Sequence, residues 1–344
     1  MGLSDPATRK RLSEYIKAAA GAASCEIKDI QRLNGGAIQE NHALDLNLTG
    51  GPHQGRLSIV LRMSAPTGVE DSLGKASEFA LARAAFDAGI LVPEPLWCCM
   101  DSTILGKPFC LMERMAGEGR GDVLTTNPTV AQAKDTIAAQ LGRELGKIHA
   151  ITPRQNDFPF LSTPKNPALA AVAYYRDQLD RRQQAYPALE WGLRWLEQNA
   201  PSDSELTLVH RDFRVGNFLI EHGALSAILD WEFAGWGDPF EDIGWLFAKC
   251  WRFGRSTYEL GGIADRAPFY AAYEQESGRK IDATKIAYWE TYAHVRWAMI
   301  ALQQADRYLV GAEMNLDAAL SGHRLAELEI EILQMTAPDY AIAS

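Results

Sequence analysis

The stretch that most constrains this chain runs from residue 206 to 246 and reads LTLVHRDFRVGNFLIEHGALSAILDWEFAGWGDPFEDIGWL. Two short apolar runs, 206–209 and 227–229, each end in a polar cluster, and between them Phe218-Leu219-Ile220 meets the turn-like Glu221-His222-Gly223. The pattern predicts strand, loop, hairpin and then an acid. On that frame His210-Arg211-Asp212 is followed by Asn217 five residues after the aspartate, and Asp230 stands where the hairpin ends. An aspartate and an amide at this spacing on a tight loop address neighbouring positions, and the hairpin brings a second carboxylate back without a long closure.

This arrangement fits the H-R-D-x-x-x-x-N catalytic loop of kinases, with Asp230 where a metal-binding acid is needed. Together with Asp230-Trp231-Glu232 and Gly237-Asp238-Pro239 opening a helix, it makes the chain resemble the aminoglycoside phosphotransferase family. Within that family it is most similar to the group associated with acyl-CoA dehydrogenases. The resemblance implies an α+β, two-lobe protein-kinase-like fold, with an antiparallel-sheet N-lobe at 1–116 and a mainly helical C-lobe at 117–344. It also implies ATP-dependent transfer of the γ-phosphoryl group to a hydroxyl of a small molecule. Asp212 is expected to face that hydroxyl, and Asn217 and Asp230 to hold Mg2+, because positioning and charge neutralisation supply most of such catalysis and magnesium takes hard oxygen ligands. Glu232, two residues beyond Asp230, is expected to assist the metal or to bond its own loop. A protein kinase is disfavoured: Asp-Trp-Glu replaces Asp-Phe-Gly, and no activation segment fits between Asp230 and Asp238. Two readings stay beside this one, a non-catalytic nucleotide-binding or interaction protein and a kinase of aminoglycoside- or macrolide-type antibiotics.

Composition narrows the partners. The chain has 344 residues, 47% hydrophobic and 23% charged, enough for about two domains, with a formal charge of -10. No basic block is present to neutralise a phosphate backbone, so nucleic acid is not expected as a partner. Five cysteines (25, 98, 99, 110 and 250) show no CxxC spacing, which points away from a disulfide framework or a zinc site and towards a reducing compartment. The amino terminus lacks an apolar signal core and no apolar run reaches the ~18 residues of a membrane span, so no membrane partner is expected and the cytoplasm fits. Oligomeric state is left open.

Along the chain, a first helix is expected at 6–20, then alternating strands at 27–33, 43–48 and 57–63. The Gly35-Gly36 turn between the first two would cover the nucleotide phosphates in a kinase amino-terminal lobe. The third strand carries Arg62 where the protein-kinase pattern has lysine. Arginine keeps the charge but not the shape, and either grips phosphate or snorkels to solvent. Glu78, in a helix expected at 71–88, is its candidate ion-pair partner. The run Gly68 to Gly74-Lys75 imitates a Walker A loop, but its spacing is wrong and Ala76 replaces the magnesium-binding hydroxyl, so it is set aside. Strands are expected at 96–100 and 108–115, around a turn at 101–107. The second of these leads into a hinge where Glu113, Arg114 and Met115 are the candidates for contact with the nucleotide base. Helices follow from 129, at 166–182, 187–199 and 239–251, and through 267–335. His149 reads as packed or capping, and Asp238 and Asp242 as structural. Between Lys249 and Arg296 the eight Lys/Arg outnumber the six Asp/Glu, a local reversal that suits an anionic or acyl-bearing alcohol as acceptor, or else a solvated face.

Overall fold

The computed structural model describes residues 3–33, 39–64, 72–156, 158–311 and 316–337. The chain forms two compact units, Met1–Ala116 with Ser226–Phe233, and Gly117–Leu225 with Ala234–Ser344. Residues 117–344 are therefore not one uninterrupted domain, because the segment carrying Asp230 returns to the first unit. Backbone hydrogen bonds from Ile228 N to Leu91 O (2.7 Å) and from Leu73 N to Glu232 O (2.7 Å) tie it there.

The first unit opens with α1 (Pro6–Ala19), which is capped by Asp5 and has proline at its first position, where the missing N–H costs nothing. Leu12 and Ile16, one turn apart, turn its apolar face into the core. Strands β1 (Ser24–Arg32), β2 (Gln39–Thr49) and β3 (Gly55–Ser64) follow, then α2 (Lys75–Asp87), β4 (Pro95–Cys99), α3 (Ser102–Leu105) and β5 (Phe109–Glu113). The five strands form one antiparallel sheet in the order β1-β2-β3-β5-β4. Its core joins Leu12 and Ile16 to Leu44, Leu46, Ile59, Leu61, Phe109 and Leu111. The turn between β2 and β3 needs glycine: Gly50 and Gly51 have φ 72° and 78°, and a Cβ on Gly51 would lie 2.7 Å from Gly21 O. Helix α2 starts at Lys75 rather than 71, with Gly74 as its N-cap, and the turn expected at 101–107 contains the helical turn α3. Gly35 and Gly36 lie outside the described residues.

The second unit is mainly helical: α4 (Gly121–Leu124), α5 (Pro128–Gln132), α6 (Lys134–Ile148), α7 (Pro167–Asp180) and α8 (Pro187–Gln198). Then come β6 (Thr207–Val209), β7 (Phe218–Glu221) and β8 (Ala224–Ile228), the last carrying the chain back to the first unit, and β9 (Gly235–Gly237). Helices α9 (Pro239–Phe247), α10 (Arg266–Ser277), α11 (Ala283–Leu309), α12 (Leu316–His323) and α13 (Leu325–Met335) complete it. The β7–β8 hairpin turns on His222 and Gly223, with φ 49° and 79°, the pair of positive values that a tight hairpin favours. Strand β9 pairs with β6 and has no counterpart in the sequence reading, since Gly-Trp-Gly has no strand pattern of its own. The helix expected from 129 is divided at Ala133, and the one expected at 239–251 stops at Phe247, continuing as a single 3-10 turn at Lys249–Trp251. Helix α9 packs on α11 through Gly244, where a Cβ would lie 2.5 Å from the backbone of Trp289. All five cysteines are free, and no described helix is long and apolar enough to cross a membrane.

Asp238 caps α9 by accepting from Phe240 N at 2.8 Å, while its burial pushes the carboxyl up to about 6 from an ordinary 3.8. A folded-state value above the unfolded one contributes stability that is full below pH 3.8 and is lost as pH rises through about 6. Asp238→Asn keeps a capping acceptor and removes the buried charge. It is expected to be more stable than the parent at pH 8 by about 1–3 kcal/mol, with the gap closing towards pH 4, as read by urea unfolding at both pH values.

Candidate active site

The first unit holds a buried network of charge. Arg62, on β3 beside Cys110 of β5, pairs with Asp230, lies 3.0 Å from Glu78 Oε1, and donates from Nε to Gln39 Oε1 at 3.1 Å. The expected partners Arg62 and Glu78 are thus together, and neither faces solvent: both are buried, and Glu78 lies in the first turn of α2. Burial alone would lower the basicity of Arg62, but the charges of Asp230 and Glu78 raise it above its usual value, so it stays cationic. Asp230 has φ 65°, in the left-handed region that single Asp and Asn residues visit. Glu232 follows in a 3-10 turn and accepts from Gln39 Nε2 at 3.0 Å. Burial and the charge of Asp230 push it up to about 7.

Two members of this network carried no expectation. Gln39, at the start of β2, bridges Arg62, Lys75 and Glu232 and left no mark in the sequence. Lys75 belongs to the rejected Walker-like run and is buried against Glu78.

At the hinge, two of the three expected backbone donors are already used. Glu113 N donates to Glu94 O at 2.9 Å and Arg114 N to Ser58 O at 3.0 Å, which leaves Met115 as the donor not so engaged among the described residues.

In the second unit the His210-Arg211-Asp212 loop leaves β6 and is pinned by α9. Asp242 accepts from His210 N at 2.7 Å and Arg211 N at 2.6 Å, which holds Arg211 at φ 61°. His149, fully buried, sits 3.2 Å from Asp242 through Nε2 and 2.8 Å from the Tyr273 hydroxyl through Nδ1. With Nε2 donating to the carboxylate, Nδ1 accepts from the tyrosine, so His149 braces the loop from beneath. Arg296 Nη1 donates to Arg211 O at 2.5 Å and stacks 4.3 Å from the Trp245 ring.

Asp212 is held on both oxygens. Oδ1 accepts from Arg214 Nε at 2.9 Å and Trp245 Nε1 at 3.0 Å, and Oδ2 from Asn217 Nδ2 at 2.5 Å. Two donors fill the lone pairs of Oδ1, leaving one acceptor direction on Oδ2. Asn217 also donates to Asp212 O at 2.9 Å, so its amide nitrogen is committed and, among the described residues, its carbonyl oxygen has no bonded donor. Arg214, whose guanidinium lies 4.4 Å from the Trp251 ring, and Trp245 were missed by sequence reasoning. Arg214 had a signal, a cation two residues after the motif aspartate, whereas Trp245 had none.

Within the first unit Asp230 and Glu232 offer hard carboxylate oxygens, and within the second Asn217 Oδ1 offers an amide oxygen, the ligand types that a divalent cation such as Mg2+ takes; no group of three or more His, Cys, Asp or Glu side chains placed to hold a metal occurs among the described residues. A hard ion held by few carboxylates takes its remaining ligands from phosphate and water.

The basic excess between Lys249 and Arg296 does not gather into a patch. Lys249 pairs with Glu331 at 2.6 Å, Arg266 with Glu290 at 2.5 Å and Glu259 at 2.8 Å, and Lys285 with Asp203 at 3.1 Å. Glu331 and Asp203 lie outside the counted segment, so charge summed along the chain is not charge gathered in space.

The family model of the phosphotransferase enzyme family matches residues 29–289, and the chain belongs to that family. It is 25% identical over 296 residues to acyl-CoA dehydrogenase family member 11 of Rattus norvegicus, covering 82% of this chain and 38% of that one. It is 29% identical over 175 residues to acyl-CoA dehydrogenase family member 10 of Mus musculus, covering 49% and 16%. The chain thus spans less than half the length of these relatives. The 4-hydroxytryptamine kinase of Psilocybe cyanescens is 23% identical over 286 residues, 74% of this chain and 76% of that one. Among solved structures, a Ralstonia eutropha JMP134 protein described as an aminoglycoside phosphotransferase superposes with a TM-score of 0.75 at 19% identity, covering 95% of this chain and 98% of that one. A thermostable mutant of the aminoglycoside phosphotransferase APH(4)-Ia, in ternary complex with AMP-PNP and hygromycin B, gives 0.60 at 18% identity, covering 93% and 98%. The fold is the α+β, two-lobe kinase-like fold.

Proposed function

We propose that the protein transfers the γ-phosphoryl group of ATP to a hydroxyl of a small molecule. The observation that carries this reading is Asp212, a carboxylate immobilised by Arg214, Trp245 and Asn217 on a loop whose backbone Asp242 fixes. Such a group is built to orient an acceptor, because a carboxylate with one remaining acceptor direction places a hydroxyl in one direction. The acceptor oxygen attacks the γ-phosphorus as its hydroxyl proton moves to Asp212 Oδ2, and the bond from phosphorus to the ADP oxygen breaks. Asp230, Asn217 Oδ1 and Glu232 would hold Mg2+, which when bound neutralises charge on the β- and γ-phosphate oxygens. Arg62 turns its guanidinium to phosphate, and Met115 N–H offers a donor to the base, with Glu113 and Arg114 beside it. Gly35 and Gly36 remain the proposed cover for the phosphates.

For the acceptor, Arg214 beside Asp212 favours an anionic or acyl-bearing alcohol over a polycation, since a guanidinium repels ammonium groups. The likeness to acyl-CoA dehydrogenase family members supports the same class. In steady-state kinetics, hydroxy acids and acylated alcohols are expected to exceed kanamycin-like aminoglycosides in kcat/KM; a preference for the polycations would overturn this acceptor class. Arg62→Ala is expected to lose about 1.5–3 kcal/mol of affinity for ATP and much less for adenosine, measured by titration calorimetry with both.

A further inference from the structure

Lys75 is a buried cation of the first unit that neither the sequence motif nor the proposed transfer uses. Its ammonium is buried at the first position of α2, where desolvation and the positive end of the helix dipole both oppose a cation. Gly74 before it offers no side-chain cap, so nothing at the N-cap offsets that cost. Two contacts compensate the charge, one within the helix and one from β2: Nζ lies 2.6 Å from Glu78 Oε2, one turn on, and 2.7 Å from Gln39 Oε1. The carbonyl of Lys75 accepts in turn from Cys110 Sγ at 3.3 Å, which fixes the helix start to β5.

The consequence is a division of Glu78. One oxygen faces Arg62 at 3.0 Å and the other faces Lys75 at 2.6 Å. Without Lys75, the partner left to Oε2 among the described residues would be Gln39 Nε2, at 3.5 Å, and Arg62 would be the cation that remains beside Glu78 as well as Asp230. An arginine that must neutralise three acids, two of them buried, has less to offer a phosphate. We propose that Lys75 is a positioning residue that holds Glu78 in place independently of Arg62, so that Arg62 can turn donors to the nucleotide phosphates without leaving Glu78 unpaired. This rests on the phosphate role of Arg62 proposed above. Lys75 itself touches no nucleotide.

The test is a double-mutant cycle of Lys75→Met and Glu78→Gln in the full chain, read by Mg-ATP and adenosine affinity and by steady-state kinetics. Lys75→Met is expected to weaken ATP binding and raise KM for ATP by roughly tenfold, the scale of one lost charged hydrogen bond. Adenosine affinity should stay within about twofold and kcat within about threefold. In the Glu78→Gln background the same substitution should add less than about twofold, because its route is gone. Equal effects in the two backgrounds, or an unchanged ATP affinity in folded Lys75→Met, would overturn the proposal. If Lys75→Met does not fold, Lys75→Gln, which keeps a donor towards Glu78, and the double variant, which removes both charges, carry the same comparison. Arg62→Ala separates the two levels. Unaltered ATP affinity there removes the phosphate reading itself, whereas weakened affinity with additive Lys75 and Glu78 effects removes only the role of Lys75.

Discussion

Asp212→Asn is expected to reduce phosphoryl transfer by about 10²–10⁴-fold while leaving Mg-nucleotide affinity within about twofold, and Asp230→Asn is expected to weaken both. The contrast follows from what each carboxylate touches. Asp212 is surrounded by Arg214, Trp245 and Asn217, and an amide there keeps the size but turns one acceptor into a donor facing Asn217 Nδ2 or the Arg214–Trp245 pair. The loop stays pinned by Asp242, so nucleotide binding has no reason to fall. Asp230 is paired with Arg62, and Asp230→Asn frees that arginine from one acid as it replaces a carboxylate proposed to hold Mg2+ with a neutral amide. Single-turnover transfer and equilibrium nucleotide titration on both variants make the comparison. Equal loss of nucleotide affinity in the two would refute the division of roles.

The largest loss of stability is expected from Asp242→Ala. This fully buried carboxylate accepts from two backbone N–H groups and from His149, and although burial works against its charge, those donors hold it below the usual carboxylate range. Removing it strands three donors at once, two of them on buried residues. The expected cost is about 3–5 kcal/mol in urea unfolding. Transfer activity should fall in the fraction that remains folded, because Arg211 is no longer held at its positive φ and Asp212 follows it in the chain. Asp242→Asn, which keeps one acceptor for the loop, should recover part of the stability. His149→Ala, which removes the lower brace alone, should cost less than Asp242→Ala.

Much of the architecture was legible because its causes are local. Pro6 after Asp5, Pro167 after Asn166 and Pro239 after Asp238 mark helix starts through capping and a fixed φ, and all three helices begin at those prolines. Alternation along 43–48 and 57–63 marked two strands, and the hairpin turn at His222-Gly223 could be read from its residues. The spacing of Asp212, Asn217 and Asp230 was likewise written within a few tens of residues. Element ends were less legible. Gly74 starts α2 later than its composition suggests, and Ala133 interrupts a run that is helical throughout by pattern, because both ends depend on which backbone groups find partners elsewhere.

By itself, then, the sequence determined the kind of elements, their order and the motif that places a carboxylate and an amide on one loop, since periodicity, capping and turn chemistry act over a few residues. Only the tertiary structure decided how the charges pair. Gln39 meets Glu232 across 193 positions of sequence, Arg62 meets Asp230 across 168, and Trp245 reaches Asp212 across 33. The same reason returned Ser226–Phe233 to the first unit and spent the basic excess of 249–296 on carboxylates from other segments. Burying a charge is costly unless an opposite charge or a donor meets it, and that partner is chosen by proximity in the folded chain, which no local pattern encodes.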